Sequence, residues 1–197
     1  MITHEQLIET FGEDEVLLAP AELLKDQVTD PEALRLLTEV GLPDSFFETL
    51  CFKDFTDDPP RTLAETFFST ADGMPERVRD YLIVADGVGG GAACLDGADG
   101  RVYWFRPGDT EPYGLLNSSL GQFIEVVNAL YPQIMPLVIY LPPDAGEEQV
   151  SATQRRIQES MEGMVDQVRE LDPAAFDSPL MIWQVLITIT LESMIQS

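Results

Sequence analysis

Residues 81–105 read YLIVADGVGGGAACLDGADGRVYWF and consist of three apolar runs separated by two glycine-rich turns. The runs are short and rich in β-branched, aromatic and small apolar residues, which is typical of buried strands. Asp99-Gly100 precedes the third run, and an Asp-Gly pair favours a tight hairpin because the turn requires positive φ. The stretch therefore predicts an antiparallel meander, and residues 113–116 are a candidate for a further strand.

Helical patterns lie on both sides of this meander. Asp30-Pro31 has the pattern of an N-cap and first helical residue, and Gly41 is placed to end that helix. Asn117-Ser118-Ser119 offers cap oxygens to a following helix, and residues 147–171 have the apolar spacing of an amphipathic helix. A last helix is expected after Ser178-Pro179, although its β-branched residues also suit a strand. The pattern predicts an α+β protein with one domain over residues 1–197.

The charge is strongly acidic, with 35 Asp and Glu against 11 Lys and Arg and a formal net charge of −24. Such a field repels nucleic acid and anionic lipid, because their binding requires clustered cations. It attracts cationic partners and speeds their encounter. The acidity also has a simpler interpretation, in which it only keeps the protein in solution.

The sequence offers few groups for catalysis. His4 is the one histidine, which excludes a histidine-based triad or a zinc site built on several histidines. Cys51 and Cys94 lie far apart in apolar surroundings and are predicted to be buried thiols. Gly87, Gly89 and Ala92 fit a dinucleotide fingerprint, but the pattern after them predicts a strand where that fingerprint needs a helix N-terminus. We therefore predict no enzyme, no catalytic residue, no cofactor and no metal site.

Two features bear on location in the cell. The first residues have neither the basic nor the apolar region of a signal peptide. The longest apolar stretch near the end is interrupted by polar residues and is too short to span a bilayer. A cytoplasmic protein that does not contact a membrane is the expectation, and the oligomeric state stays open.

The order and spacing of several turn and cap motifs resemble those of the SUKH superfamily, and most closely its fourth group of bacterial immunity proteins. The motifs are Val40-Gly41-Leu42-Pro43, residues 86–91, Ala93-Cys94-Leu95-Asp96, Gly100-Arg101-Val102-Tyr103, Asn117-Ser118-Ser119-Leu120 with Phe123, residues 171–176, and Trp183. The resemblance implies a central, mostly antiparallel curved sheet flanked by N-terminal and C-terminal helices. It implies an immunity protein that neutralises a bacterial toxin domain, often a nuclease or deaminase.

The same resemblance gives structural roles to shared turn residues. Gly41, Gly87 and Gly100 are expected at turns, where glycine supplies backbone conformations that other residues avoid. Asn117 or Ser118 is expected to cap the helix that follows.

Acidic loops near the sheet are the candidate contacts with a cationic toxin, because carboxylates can mimic the phosphates of its substrate. The acids are Asp57, Asp58, Asp86, Asp96, Asp99, Asp109 and Glu111. Tyr103, Trp104 and Tyr113 are the candidate aromatic anchors, since aromatic residues are frequent hot spots of interfaces. Two other functions stay open, namely a regulatory or scaffold adaptor and a small-molecule enzyme that uses acids near the glycine turn.

Overall fold

The computed structural model describes residues 2–67, 74–108, 113–137, 139–140, 147–177, 181–193 and 195–196. Asp109 and Glu111, two of the candidate contact residues, lie outside these ranges, as does the Ser178-Pro179 start expected for the last helix. Among the described residues, no helix is long and apolar enough to cross a membrane.

The strands of the described residues form one large sheet and two small ribbons. They are β1 (Val16–Leu17), β2 (Leu42–Pro43), β3 (Ser45–Phe46), β4 (Leu50–Phe52), β5 (Leu82–Gly87), β6 (Gly91–Leu95), β7 (Val102–Phe105), β8 (Tyr113–Asn117), β9 (Ile139–Tyr140) and β10 (Ile195–Gln196). Strands β3 to β8 form the large sheet in chain order, with every neighbouring pair antiparallel. The predicted meander and the fourth strand after it are confirmed.

The α-helices of the described residues precede and follow this sheet, with two short ones between its strands. They are α1 (His4–Phe11), α2 (Ala21–Leu24), α3 (Pro31–Arg35), α4 (Leu63–Thr66), α5 (Glu76–Arg79), α6 (Leu120–Ile134), α7 (Glu147–Leu171) and α8 (Ile182–Ser193). Asp30 caps α3 by accepting a hydrogen bond from the Ala33 amide at 2.7 Å. The strand alternative for the β-branched residues near the C-terminus is wrong, because they lie in α8 and bury one side of that helix. The architecture is α+β with a central sheet, as predicted.

The central sheet is buried on both faces. On one face, residues such as Phe52, Val84 and Leu116 pack in the main core, which also contains Phe123 of α6 and Trp183 of α8. On the other face, residues of β5, β6 and β7 form a smaller cluster with residues of α4 and α5. Burial on both faces explains why residues 81–105 contain continuous apolar runs instead of an alternating pattern.

The three glycines that were expected at turns have two different roles. Gly41 has φ +93° and Gly100 has φ +76°, so both adopt the left-handed backbone expected of turn glycines. Gly87 has an ordinary extended φ of −117°. A Cβ atom at Gly87 would lie 2.1 Å from the indole ring of Trp104. The expected conformational role of Gly87 is therefore corrected, because this glycine is needed for the close approach of Trp104.

The two cysteines differ in exposure. Cys94 is buried in the sheet, as predicted, but Cys51 is exposed, so the prediction of two buried thiols is wrong for Cys51. Burial raises the pKa of the Cys94 thiol, which keeps it protonated and unreactive near neutral pH. We expect a thiol-reactive disulfide reagent to label Cys51 rapidly in the native protein and to label Cys94 as well only in denaturant. Rapid labelling of both native thiols, or loss of the fast phase in a Cys94→Ala control, would contradict this assignment.

Candidate interaction surface

Three of the candidate acids lie beside the β4–β5 pair. The Lys53 ammonium contacts Asp86 Oδ2 at 2.6 Å and Asp58 Oδ2 at 3.5 Å, and Arg61 lies 3.5 Å from Asp58 Oδ1. Asp57 is exposed next to them. Lys53, Asp58 and Arg61 also line a shallow groove. Three carboxylates therefore share their surroundings with two cations, which cancels most of the local charge.

Asp96 and Asp99 lie in the β6–β7 turn and both contact Arg77 of α5. Arg77 Nε donates to Asp96 at 2.6 Å, and these contacts hold the pKa of the Arg77 guanidinium above its ordinary value. Asp96 is 3% exposed and also accepts a hydrogen bond from the Ala98 amide at 3.0 Å. A buried carboxylate needs such partners. Asp96 therefore organises the turn and is inaccessible to a partner, whereas Asp99 is exposed.

The candidate aromatic anchors are covered to different extents. Tyr103 is half-buried and stacks on Tyr81 with a centroid distance of 4.9 Å, and burial raises the pKa of the Tyr81 hydroxyl. Tyr113 is half-buried against the smaller cluster. Trp104 is only 8% exposed, because its indole lies over Gly87. The structure therefore leaves Tyr103 and Tyr113 partly accessible and uses Trp104 mainly in the core.

The Asn-Ser-Ser motif does more than begin a helix. The N-cap of α6 is Ser119, whose hydroxyl accepts from the Gln122 amide at 3.1 Å, so the expected cap at Asn117 or Ser118 is corrected. Asn117 and Ser118 instead donate to the buried carboxylate of Asp172. Asn117, Ser118 and Asp172 thus satisfy one another's hydrogen bonds inside the fold, which is a structural role.

A groove lies beside the glycine-rich turn, the place where an enzyme that uses nearby acids would have its site. Among the described residues its lining is apolar except for Arg106, and it contains Trp104 and a side of α8. No carboxylate is among these lining residues, so the groove provides no acid–base pair. In the described part of the chain there is also no group of three or more His, Cys, Asp or Glu placed to hold a metal ion.

The N-terminal quarter carries an acidic surface that the sequence reasoning missed. Residues 1–50 contain twelve Asp and Glu but only two cations, Lys25 and Arg35. Five exposed acids of this quarter lie on neighbouring segments, since the Asp44 amide donates to the Glu15 carbonyl at 2.8 Å. We call them the N-terminal acidic face: Glu13, Asp14, Glu15, Asp44 and Glu48. A count of charges by segment would have found the asymmetry, but not the shared surface.

Three half-buried aromatic rings adjoin this face. Tyr131 of α6 lies between Phe11 and Phe47, with centroid distances of 4.4 Å and 5.0 Å. The Phe47 and Tyr131 rings are nearly parallel, with an interplanar angle of 19°. We call these three residues the aromatic stack. Phe11 lies two positions before Glu13, and Phe47 directly precedes Glu48, so rings and carboxylates are close neighbours in the chain.

Comparison with known proteins identifies a family but no individual relative. No curated protein and no solved structure matches this chain. A family model described as SUKH-4 immunity protein matches residues 2–189. That match covers nearly the whole chain and supports an immunity function. The protein belongs to the SUKH-4 immunity protein family.

Proposed function

We propose that this protein binds and neutralises a cognate bacterial toxin domain with a cationic surface, such as a nuclease or a deaminase, in the cytoplasm. Membership in the SUKH-4 immunity protein family supports the immunity role. The observation that carries the electrostatic part is the net charge of −24. Toxins that act on nucleic acid need cationic grooves to neutralise phosphates, and an acidic protein reaches such grooves quickly.

The exposed and half-buried members of the predicted set are proposed as contacts with this toxin. They are Asp57, Asp58, Asp86, Asp99, Tyr103 and Tyr113. Asp109 and Glu111 remain proposed on sequence grounds alone. Asp96 and Trp104 leave the proposal, because Asp96 is 3% exposed and Trp104 is 8% exposed.

The first test is complex formation with the toxin domain encoded beside this protein's gene. We expect the two purified proteins to form a complex at about nanomolar affinity or tighter. Increasing amounts of the protein should also abolish toxin activity with a defined stoichiometry. An unrelated basic protein of similar charge is the control for non-specific attraction. The proposal fails if the toxin domain stays fully active with excess protein, or if the control protein binds equally well.

A further inference from the structure

The N-terminal acidic face and the aromatic stack differ from the sheet acids in how their charges are balanced. Among the described residues, the five face acids make no ion pair with a lysine or arginine. In contrast, Asp58, Asp86 and Asp99 each contact at least one cation. An exposed carboxylate without an ion-pair partner leaves its full field available to a cation from another molecule.

The aromatic stack presents rings that are already fixed in position. The residue after Phe47 and Glu48 is Thr49, which is buried and hydrogen-bonded through its hydroxyl to that of Thr190 in α8. The Val88 amide donates to the Thr49 carbonyl at 3.0 Å. The turn that carries Phe47 is therefore held by two other segments. A surface that is ordered before binding loses less conformational entropy when the partner arrives.

Phe47 also has an unusual backbone. Its φ is +54°, in the left-handed region that bulky residues rarely adopt. This conformation brings the Phe47 ring onto Tyr131 and edge-on to Phe46, with a centroid distance of 5.1 Å to the latter. Strained residues of this kind persist where the surroundings hold them in place.

Half-exposed aromatic rings beside unbalanced carboxylates fit one type of side chain particularly well. An arginine guanidinium stacks on an aromatic face and forms paired hydrogen bonds with carboxylates at its edge. A lysine ammonium is attracted to the same groups, but it lacks the planar shape that allows paired hydrogen bonds. The chemistry of the surface thus selects a cationic segment of a protein partner.

We propose that the toxin inserts an arginine- or lysine-bearing segment at the N-terminal acidic face, against the aromatic stack. This proposal rests on the function proposed above. The stack supplies the contact that holds the complex, and the five carboxylates supply attraction and orientation. The sheet acids make weaker contacts with the toxin, because Asp58, Asp86 and Asp99 are already paired with lysine or arginine.

Two variants with the same change of net charge test this location. The face variant is Glu13→Gln, Glu15→Gln and Glu48→Gln, and the sheet variant is Asp57→Asn, Asp58→Asn and Asp86→Asn. Each removes three exposed or partly exposed carboxylates, so a purely long-range effect is equal in both. We expect the face variant to weaken toxin affinity by about 30-fold or more, and the sheet variant by less than about threefold.

The outcomes separate the location from the function. Equal losses in the two variants, or a larger loss in the sheet variant, would overturn the proposed location while leaving toxin binding intact. Failure of the unmodified protein to bind the toxin domain would overturn the function and the location together. Circular dichroism and urea unfolding of both variants verify that neither loses its fold.

Phe47→Gly tests the aromatic contribution separately. Glycine accepts positive φ without strain, so the turn keeps its conformation while the ring is lost. We expect the toxin to dissociate at least about tenfold faster, with a nearly unchanged association rate, because short-range contacts act mainly on dissociation. The face variant should associate more slowly and also dissociate faster, because it removes both the attraction and the carboxylates that bind the guanidinium. An unchanged dissociation rate in a folded Phe47→Gly protein would remove the aromatic stack from the interface.

Discussion

The Gly97→Ala protein should be less stable than the unmodified protein by about 3 kcal/mol or more, which is a large fraction of the stability of a typical domain. A Cβ atom at Gly97 would lie 1.9 Å from the carbonyl oxygen of Gln27 and 3.1 Å from the Val28 Cα atom. These are backbone atoms, so no flexible side chain can move aside. The amides of Thr29 and Asp30 also donate to the Gly97 carbonyl at 2.7 Å and 2.9 Å. Separating the two segments therefore breaks both hydrogen bonds.

Urea unfolding monitored by circular dichroism measures this effect. Gly121→Ala is the matched control, because a Cβ atom there meets the Leu36 side chain at an ordinary 3.5 Å. Gly121 lies in α6, where alanine is favoured over glycine by up to about 1 kcal/mol. We expect the control to be as stable as the unmodified protein or slightly more so. Equal stability of the Gly97→Ala protein would show that the loop before α3 does not press on the β6–β7 turn.

Removal of the Asp172 carboxylate is the second large effect that we expect. Asp172 is 1% exposed and accepts hydrogen bonds from Asn117 Nδ2 at 3.0 Å, the Ser118 amide at 2.7 Å and Ser118 Oγ at 2.9 Å. The Asn117 side-chain oxygen accepts from Trp183 Nε1 at 3.0 Å. One buried network thus joins the end of β8, the segment after α7 and helix α8. Asp172→Ala leaves buried donors without partners, which should cost about 3–5 kcal/mol.

The same unfolding experiment tests this network with a nearby control. Asp177 is exposed, so Asp177→Ala should change the free energy of unfolding by no more than about 0.5 kcal/mol. Near-ultraviolet circular dichroism provides a second readout, because Trp183 loses its fixed surroundings when Asn117 is released. If Asp172→Ala and Asp177→Ala are equally stable, the network does not support the fold.

Local signals explain which parts of the fold could be predicted. The Asp99-Gly100 turn and the apolar runs beside it specify an antiparallel meander through neighbours in sequence, and the structure confirms it. The roles of Gly97 and Asp172 depend on distant partners: Thr29 is 68 positions from Gly97, and Asn117 is 55 positions from Asp172. Gly87 is similar, because the side chain that requires its missing Cβ belongs to Trp104 on another strand.

The candidate surface was harder to predict than the fold. Proximity to the sheet suggested Asp96 and Trp104, but only the three-dimensional packing shows that both are buried. The balance of charge also depends on packing, since Lys53 and Asp86 meet across two paired strands. The excess of acids in residues 1–50 was visible in the sequence. The proximity of Tyr131 to these acids was not visible, because Tyr131 lies in α6, which follows the strands of the large sheet in the sequence.

The most direct test of the central claim is the salt dependence of toxin affinity. The equilibrium dissociation constant of the complex with the cognate toxin domain should be measured at several ionic strengths from about 50 mM to 500 mM, over which the Debye length falls severalfold. An acidic protein that grips a cationic toxin should lose at least about tenfold in affinity over this range, mainly through slower association. A dissociation constant that stays the same across the series would contradict electrostatic recognition by this protein.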